Sequence, residues 1–322
     1  MKRFLPVALA SAAILFSPPL AAQNYPNRTV TVVVPFPAGG SVDGVARILV
    51  QKLNETPGHT FVVENRAGGA GGNVGSNTVA KAPPDGYTLL LSASIHVINP
   101  FLFKNVPYDV VADFTPVSLL AVGPLIVSTT PSVPAKNLKE FFDLVRATPD
   151  KFTFGTTGVG SASHLAIELL KREGGVNTLV VAYRGTAPAL TDLMSGQIQG
   201  LADPILSSLP LAQGGKIKAL AITSAKRMPS APDIPTVAES GMKDFEFVSW
   251  YGVWGPKGLP PEIVQKLQTE MAKAVKDPGV QERMGVQGFE SVGSTADEFA
   301  RYVNAEMAKY GQIIKDANIK ID

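Results

Sequence analysis

Cysteine is absent from the sequence, which rules out disulfide frameworks, thiolate metal sites and cysteine nucleophiles. Histidine is scarce. His59, His96 and His164 are the only three, and none lies at local zinc-ligand spacing from another, so no metal centre is expected. Neither the phosphate loop G-x-x-x-x-G-K-[ST] nor the nucleophile elbow G-x-S-x-G occurs. The stretch Gly69 to Gly75 is one residue too long for the dinucleotide pattern G-x-G-x-x-G. An excess of charge is also missing: the chain has 29 basic and 27 acidic residues. Without Lys2 and Arg3 the two signs balance, so wholesale capture of nucleic acid or of an anionic membrane is not expected. Any anion must be held by local geometry.

The sequence opens with an address. Lys2 and Arg3 precede an apolar run from Phe4 to Phe16, Ser17-Pro18-Pro19 breaks it, and Ala21-Ala22 offers a cleavage point. About 13 apolar residues are too few to span a bilayer, so residues 1–22 are expected to be a cleavable signal peptide. No later segment is long and apolar enough to cross a membrane. The mature chain is therefore expected in an extracytoplasmic space. With 322 residues and 45% hydrophobic content, it has enough chain for two domains and needs no staples.

Strands and helices alternate almost throughout, the pattern of an α/β fold with a largely parallel sheet. Val30 to Pro35 is a β-branched run expected to be buried on both faces, and Val45, Ile48, Leu49 and Leu53 after it fall at helical spacing. Further units follow before and after position 123, which implies two lobes of like construction. The tail adds two amphipathic helices without strands of their own. The second opens with the capping-box spacing Thr295-x-x-Glu298. These helices are expected to cover the first lobe. That makes lobe 1 discontinuous, residues 23–122 plus 247–322, around lobe 2 at 123–246. Two crossings form a hinge, and the space between the lobes becomes the ligand site.

Two loops carry the site. Phe36-Pro37-Ala38-Gly39-Gly40-Ser41 links a strand to a helix, with Ser41 placed to cap that helix and Asp43 in its first turn. Ligands of open parallel sheets sit beyond the carboxyl ends of the strands, and a helix start there offers unpaired amides to an anion. A bare tight turn would look the same. The loop Gly158-Val159-Gly160-Ser161-Ala162-Ser163-His164 has the same character in lobe 2. Opposed across a cleft, the pair would grip one solute. Ser92 and Ser94 follow the third strand, Tyr183 and Arg184 end another, and Asp203 ends a third, so all five are expected at the rim. His96 reads more simply as a structural histidine.

Taken in order, the segments YPNRTVTVVVPFPAGGSVDGVAR, VVENRAGGAGGNVG, PPDGYTLLL, AYRGTAPALTDLMSGQI, ALAITSAKR, IPTVAESG and GSTADEFARYV make a specific series. The chain closely resembles the Bug family of extracytoplasmic solute receptors, the binding components of tripartite tricarboxylate transporters. The resemblance implies a two-lobed, type II periplasmic-binding-protein fold without cofactor and without catalysis. It also implies a monomer that takes a small organic-acid or amino-acid-like ligand to membrane components of the transporter. The family's two ligand loops correspond to Phe36–Asp43 and Gly158–His164, with Asp43 in an intact GG-x-x-D pattern. Valine at 159, serine at 163 and Pro204-Ile205 depart from common family forms and bear on ligand choice. Alternatives of other classes are a ligand sensor and an extracytoplasmic hydrolase or lyase.

Overall fold

The computed structural model describes residues 25–319; the expected signal peptide lies outside them. Strand β1 (Val30–Val34) shows why its sequence lacks polar alternation. Val30, Val32 and Val34 join a buried cluster with Val45 and Leu49 of α1 (Ser41–Leu53) and with Ile263, Leu267 and Met271 of α8 (Pro261–Val275). Val33 points the other way. It packs with Val79 of α2 (Asn73–Ala80), Val97 and Ile98 of α3 (Ile95–Leu102), and Phe299 and Val303 of α10 (Ala296–Asp316). Side chains alternate across a strand, and here both faces are roofed by helices.

The first sheet runs β2 (Phe61–Asn65), β1, β3 (Thr88–Ala93), β9 (Val248–Pro256), β4 (Phe114–Thr129), with the short β10 (Glu290–Ser291) on the far side of β4. The second uses β4 again, followed by β7 (Gly200–Pro204), β5 (Thr153–Thr156) and β6 (Leu179–Ala182), with β8 (Lys218–Ile222) also on β4. Pairing is parallel among β2, β1 and β3 and among β7, β5 and β6. The long strands β4 and β9 run antiparallel to their neighbours, so each sheet is mixed rather than largely parallel.

β4 joins the sheets by changing partners midway. Pro124 faces Val248 of β9, and the next residue, Leu125, faces Pro204 of β7. The return passage lies alongside. The Thr223 amide donates to the Leu125 carbonyl at 2.9 Å, and the Phe247 amide donates to the Thr223 carbonyl at 2.9 Å.

The tail helices divide their work. α8 covers the first sheet beside α1, as expected of it. α10 covers the opposite face, where the Trp250 indole donates to the Tyr310 hydroxyl at 2.9 Å. It then runs on to α5 (Ala162–Gly174) of the other lobe, where Asp316 pairs with Arg172 at 3.1 Å. The last helix therefore touches both lobes. Its capping box forms: the Thr295 side chain accepts from the Glu298 amide, and the Glu298 carboxylate accepts from the Thr295 amide. Completing the fold are α4 (Leu138–Ala147), α6 (Thr186–Ser195), α7 (Ile205–Gln213) and α9 (Pro278–Val286). Helices α3, α7 and α9 have no counterpart among the helices expected from the sequence.

Candidate functional site

A cavity of about 710 Å³ opens between the two sheets. Helix starts from both lobes line it: Gly40 and Ser41 at α1, Ser94 and Ile95 at α3, Ser161 and Ala162 at α5, Gly185 and Thr186 at α6, and Pro204 at α7. At Gly40, Ser94, Gly185 and Pro204 no side chain caps the helix. First-turn amides lack intrahelical partners, and the aligned peptide dipoles add partial positive charge. Among the described residues no lysine, arginine, histidine, aspartate or glutamate lines the cavity. Its attraction for anions is a property of the backbone.

The first loop is shaped by Asp43. Ser41 does not cap α1 as expected, because the cap position falls on Gly40. Gly39 adopts φ 87°, which favours glycine, and its amide donates to Asp43 Oδ2 at 2.9 Å. Arg47 Nε donates to the same oxygen at 2.8 Å, and Asn65 Nδ2 donates to Oδ1 at 2.9 Å. Burial works against the charge of Asp43, but these bonds hold its carboxyl below the usual range. That stability is present above the ordinary carboxylate pKa and is lost as pH falls through the lowered one. Replacing Asp43 by alanine should release the loop, with a stability loss of about 1–3 kcal/mol and weaker ligand binding. Melting and titration on the same sample check this. Unchanged affinity in the folded fraction would leave Asp43 a brace only.

The second loop is tied in the same way. The Ser161 hydroxyl donates to the Gly158 carbonyl at 2.8 Å and accepts from the His164 amide at 3.2 Å. His164 Nδ1 accepts from the Gly160 amide at 3.0 Å, a bond that requires a neutral ring. Burial lowers the His164 pKa and so favours that form. Ser163 donates to the Ala202 carbonyl at 2.5 Å, locking the first turn of α5 onto β7.

Of the residues expected at the site, Phe36, Ala38, Gly39, Gly40, Ser41, Ser94, Val159, Ser161 and Ser163 line one cavity, although they come from both lobes. The other eight stand outside the lining, each for a physical reason. Asp43 and His164 direct their acceptor atoms at loop amides rather than at the cavity. Gly158 closes its turn by accepting from Ser161, and Gly160 packs against Leu102. Ser92 is wholly buried in β3. The Tyr183 hydroxyl turns to Asp192 at 2.7 Å, and Arg184 is exposed beside Gly185. Asp203 is buried, accepting from Thr186 Oγ1 at 3.0 Å and Ser208 Oγ at 3.1 Å; burial pushes its pKa up to about 7. His96 is a core residue, as the simpler reading had it. It packs against Phe114 and Trp254, and its pKa is pushed down to about 3 by burial.

Sequence reasoning missed the back wall, where Leu125 of β4 and Ser249 and Tyr251 of β9 face the cavity. Tyr251 sits in an aromatic strand that reads as core, and nothing local marks it. Gly185 and Thr186 were legible as another strand-to-helix turn. Among the described residues no cluster of three or more acidic or histidine side chains could hold a metal ion, and no helix is long and apolar enough to cross a membrane.

Two lobes joined by β4 and the return passage beside it, with an amide-lined cavity between them, define a type II periplasmic binding protein. The family follows from comparison with known proteins: the chain belongs to the tripartite tricarboxylate transporter family receptors, whose model matches residues 45–319. Protein BugT of Bordetella pertussis is 33% identical over 98% of this chain and 96% of its own length. The periplasmic binding protein BugD is 39% identical with a TM-score of 0.77, over 92% of this chain and 100% of its own. A Rhodopseudomonas palustris protein solved with adipate is 37% identical with a TM-score of 0.81, over 92% of this chain and 100% of its own.

Proposed function

We propose that this chain is an exported, non-catalytic receptor that captures a small carboxylated metabolite in the periplasm. It delivers that ligand to the membrane components of a tripartite tricarboxylate transporter. Residues 1–22 direct export, and the mature chain works as a monomer. Residues 23–122 with 247–322 move as one body against 123–246, hinged where β4 and the return passage between Thr223 and Phe247 run between lobes. The observation that carries this reading is the convergence of helix starts from both lobes on a cavity with no lysine, arginine, histidine, aspartate or glutamate in its lining among the described residues. Such a site can bind an anion and close on it, but it presents no general base or nucleophile poised beside an acceptor. The related protein bound to adipate supports the carboxylate class.

Mass spectrometry of small molecules released from freshly purified protein is expected to show an organic acid, bound 1:1 and recovered unchanged. Deleting the gene should then abolish uptake of that acid. Intact uptake with loss of a transcriptional response would make the protein a sensor, and conversion of the acid on incubation would make it an enzyme.

A further inference from the structure

The lobe-1 wall of the cavity carries a row of hydroxyls. Ser41 begins α1, Ser94 stands at the start of α3, and Ser249 and Tyr251, two residues apart, share one face of β9. Strand pairing gathers them: Tyr251 lies opposite Ala93 of β3, and the Ser94 amide donates to the Trp250 carbonyl at 3.0 Å. Ser41 and Ser249 flank the Tyr251 hydroxyl without closing a hydrogen bond of ordinary length onto it. On lobe 2 the lining hydroxyls can accept from a ligand, but their protons are engaged: Thr157 donates to Ser161 Oγ, Ser161 to the Gly158 carbonyl, Ser163 to the Ala202 carbonyl and Thr186 to Asp203. The Tyr251 proton has no such acceptor among the described residues, although the residue is only 2% exposed. Burial raises the Tyr251 pKa, so the hydroxyl keeps that proton at ordinary pH.

We infer that Tyr251 is a specificity-determining residue: its hydroxyl donates to an oxygen that the ligand carries in addition to its first carboxylate, and Ser41 and Ser249 complete that subsite. This deepens the receptor reading above and rests on it. The ring alone has a packing role, edge-on to Phe289 with centroids 4.9 Å apart. Phenylalanine would fill that place equally well, without the cost of burying a hydroxyl that finds no partner. A ligand oxygen supplies the partner. The partial positive charge of the α1 and α3 starts beside the hydroxyls favours an oxygen there over an ammonium. A hydroxyl and a second carboxylate both offer such an oxygen.

The test is calorimetric titration of the parent and Tyr251→Phe with two matched sets: butanoate, 4-hydroxybutanoate and succinate, then hexanoate, 6-hydroxyhexanoate and adipate. In at least one set an oxygen-bearing acid is expected to bind the parent on the order of tenfold tighter or better than the bare acid. Tyr251→Phe should remove most of that preference and leave the affinity of the bare acid unchanged. Whether the hydroxy acid or the diacid shows the effect identifies the source of the oxygen. The melting temperature of Tyr251→Phe should not fall, because the ring contact remains and no protein hydrogen bond is lost. A preference that survives Tyr251→Phe overturns the inference, as does bare acid binding as tightly as its partners; both leave the receptor reading standing. Equal losses for every acid with a lower melting temperature would make Tyr251 a packing residue and also overturn it. If none of the six acids binds the parent, the carboxylate receptor reading fails and takes the inference with it.

Discussion

Gly160→Ala is expected to weaken ligand binding by roughly 5- to 100-fold while both lobes stay folded. Gly160 adopts φ 72°, a conformation that costs a non-glycine residue about 1–2 kcal/mol. A methyl group there would also overlap Cδ1 of Leu102, which is buried at the end of α3 in the other lobe. Overpacking of this kind costs about 1–3 kcal/mol. Because Gly160 and Leu102 belong to different lobes, on the proposed hinge reading that part of the cost falls on the form in which the lobes meet. Apparent affinity falls with the fraction of closed protein, tenfold for every 1.4 kcal/mol. Calorimetric titration with the released ligand, together with small-angle scattering, reads both changes. Adding Leu102→Ala should recover part of the affinity, because it removes the atom that the methyl group meets. Unchanged affinity in Gly160→Ala would show that the Leu102 contact plays no part in closure. Gly288 is a companion position: its φ is 75°, and a methyl group there would meet Ile205 Cγ2 across the same gap.

The second large effect concerns Asp203. Its carboxyl is buried without a cation, and its pKa is pushed up to about 7 from the ordinary 3.8. The folded state therefore holds a proton that the unfolded chain has already released between those values. Stability from this group is complete below about pH 4 and declines as pH rises toward 7. The shift corresponds to a loss on the order of 2–4 kcal/mol. Asp203→Asn retains an acceptor for the Thr186 hydroxyl and cannot ionise. The variant should match the parent near pH 4 and exceed it near pH 8. Denaturant melts of both proteins across that range measure the difference. Parallel curves would mean that Asp203 stays ionised in the fold.

Much of this architecture was legible because local and global signals agreed. The amphipathic segment Leu138–Ala147 forms α4, with the Asn137 side chain accepting from the Glu140 amide at its start. The two glycine-bearing loops were readable because a strand, a tight turn and a helix start leave a distinct pattern, and the cavity joins them. Helices α3 and α7 escaped notice because each carries an interior proline, Pro100 and Pro210, which locally argues against helix. Tertiary packing decides there: Val97, Ile98 and Leu102 are buried whatever the local preference. The direction of Asp43, His164 and Asp203 was unreadable for a different reason. Polar residues near a ligand loop either face the ligand or hold the loop, and only the partner atoms distinguish the two. Here Gly39, Gly160 and Thr186 supply those partners.

The place of β9 in the first sheet sets the order in which the molecule can be assembled. This strand lies between β3 and β4, yet it is encoded more than a hundred residues after either. A nascent chain that has emerged only as far as β8 has a gap at the middle of its first sheet, with the edges of β3 and β4 unpaired. Translation must run almost to its end before that gap can be filled. The first sheet therefore stays open while the chain is being made, whereas every strand of the second sheet is in hand before β9 appears.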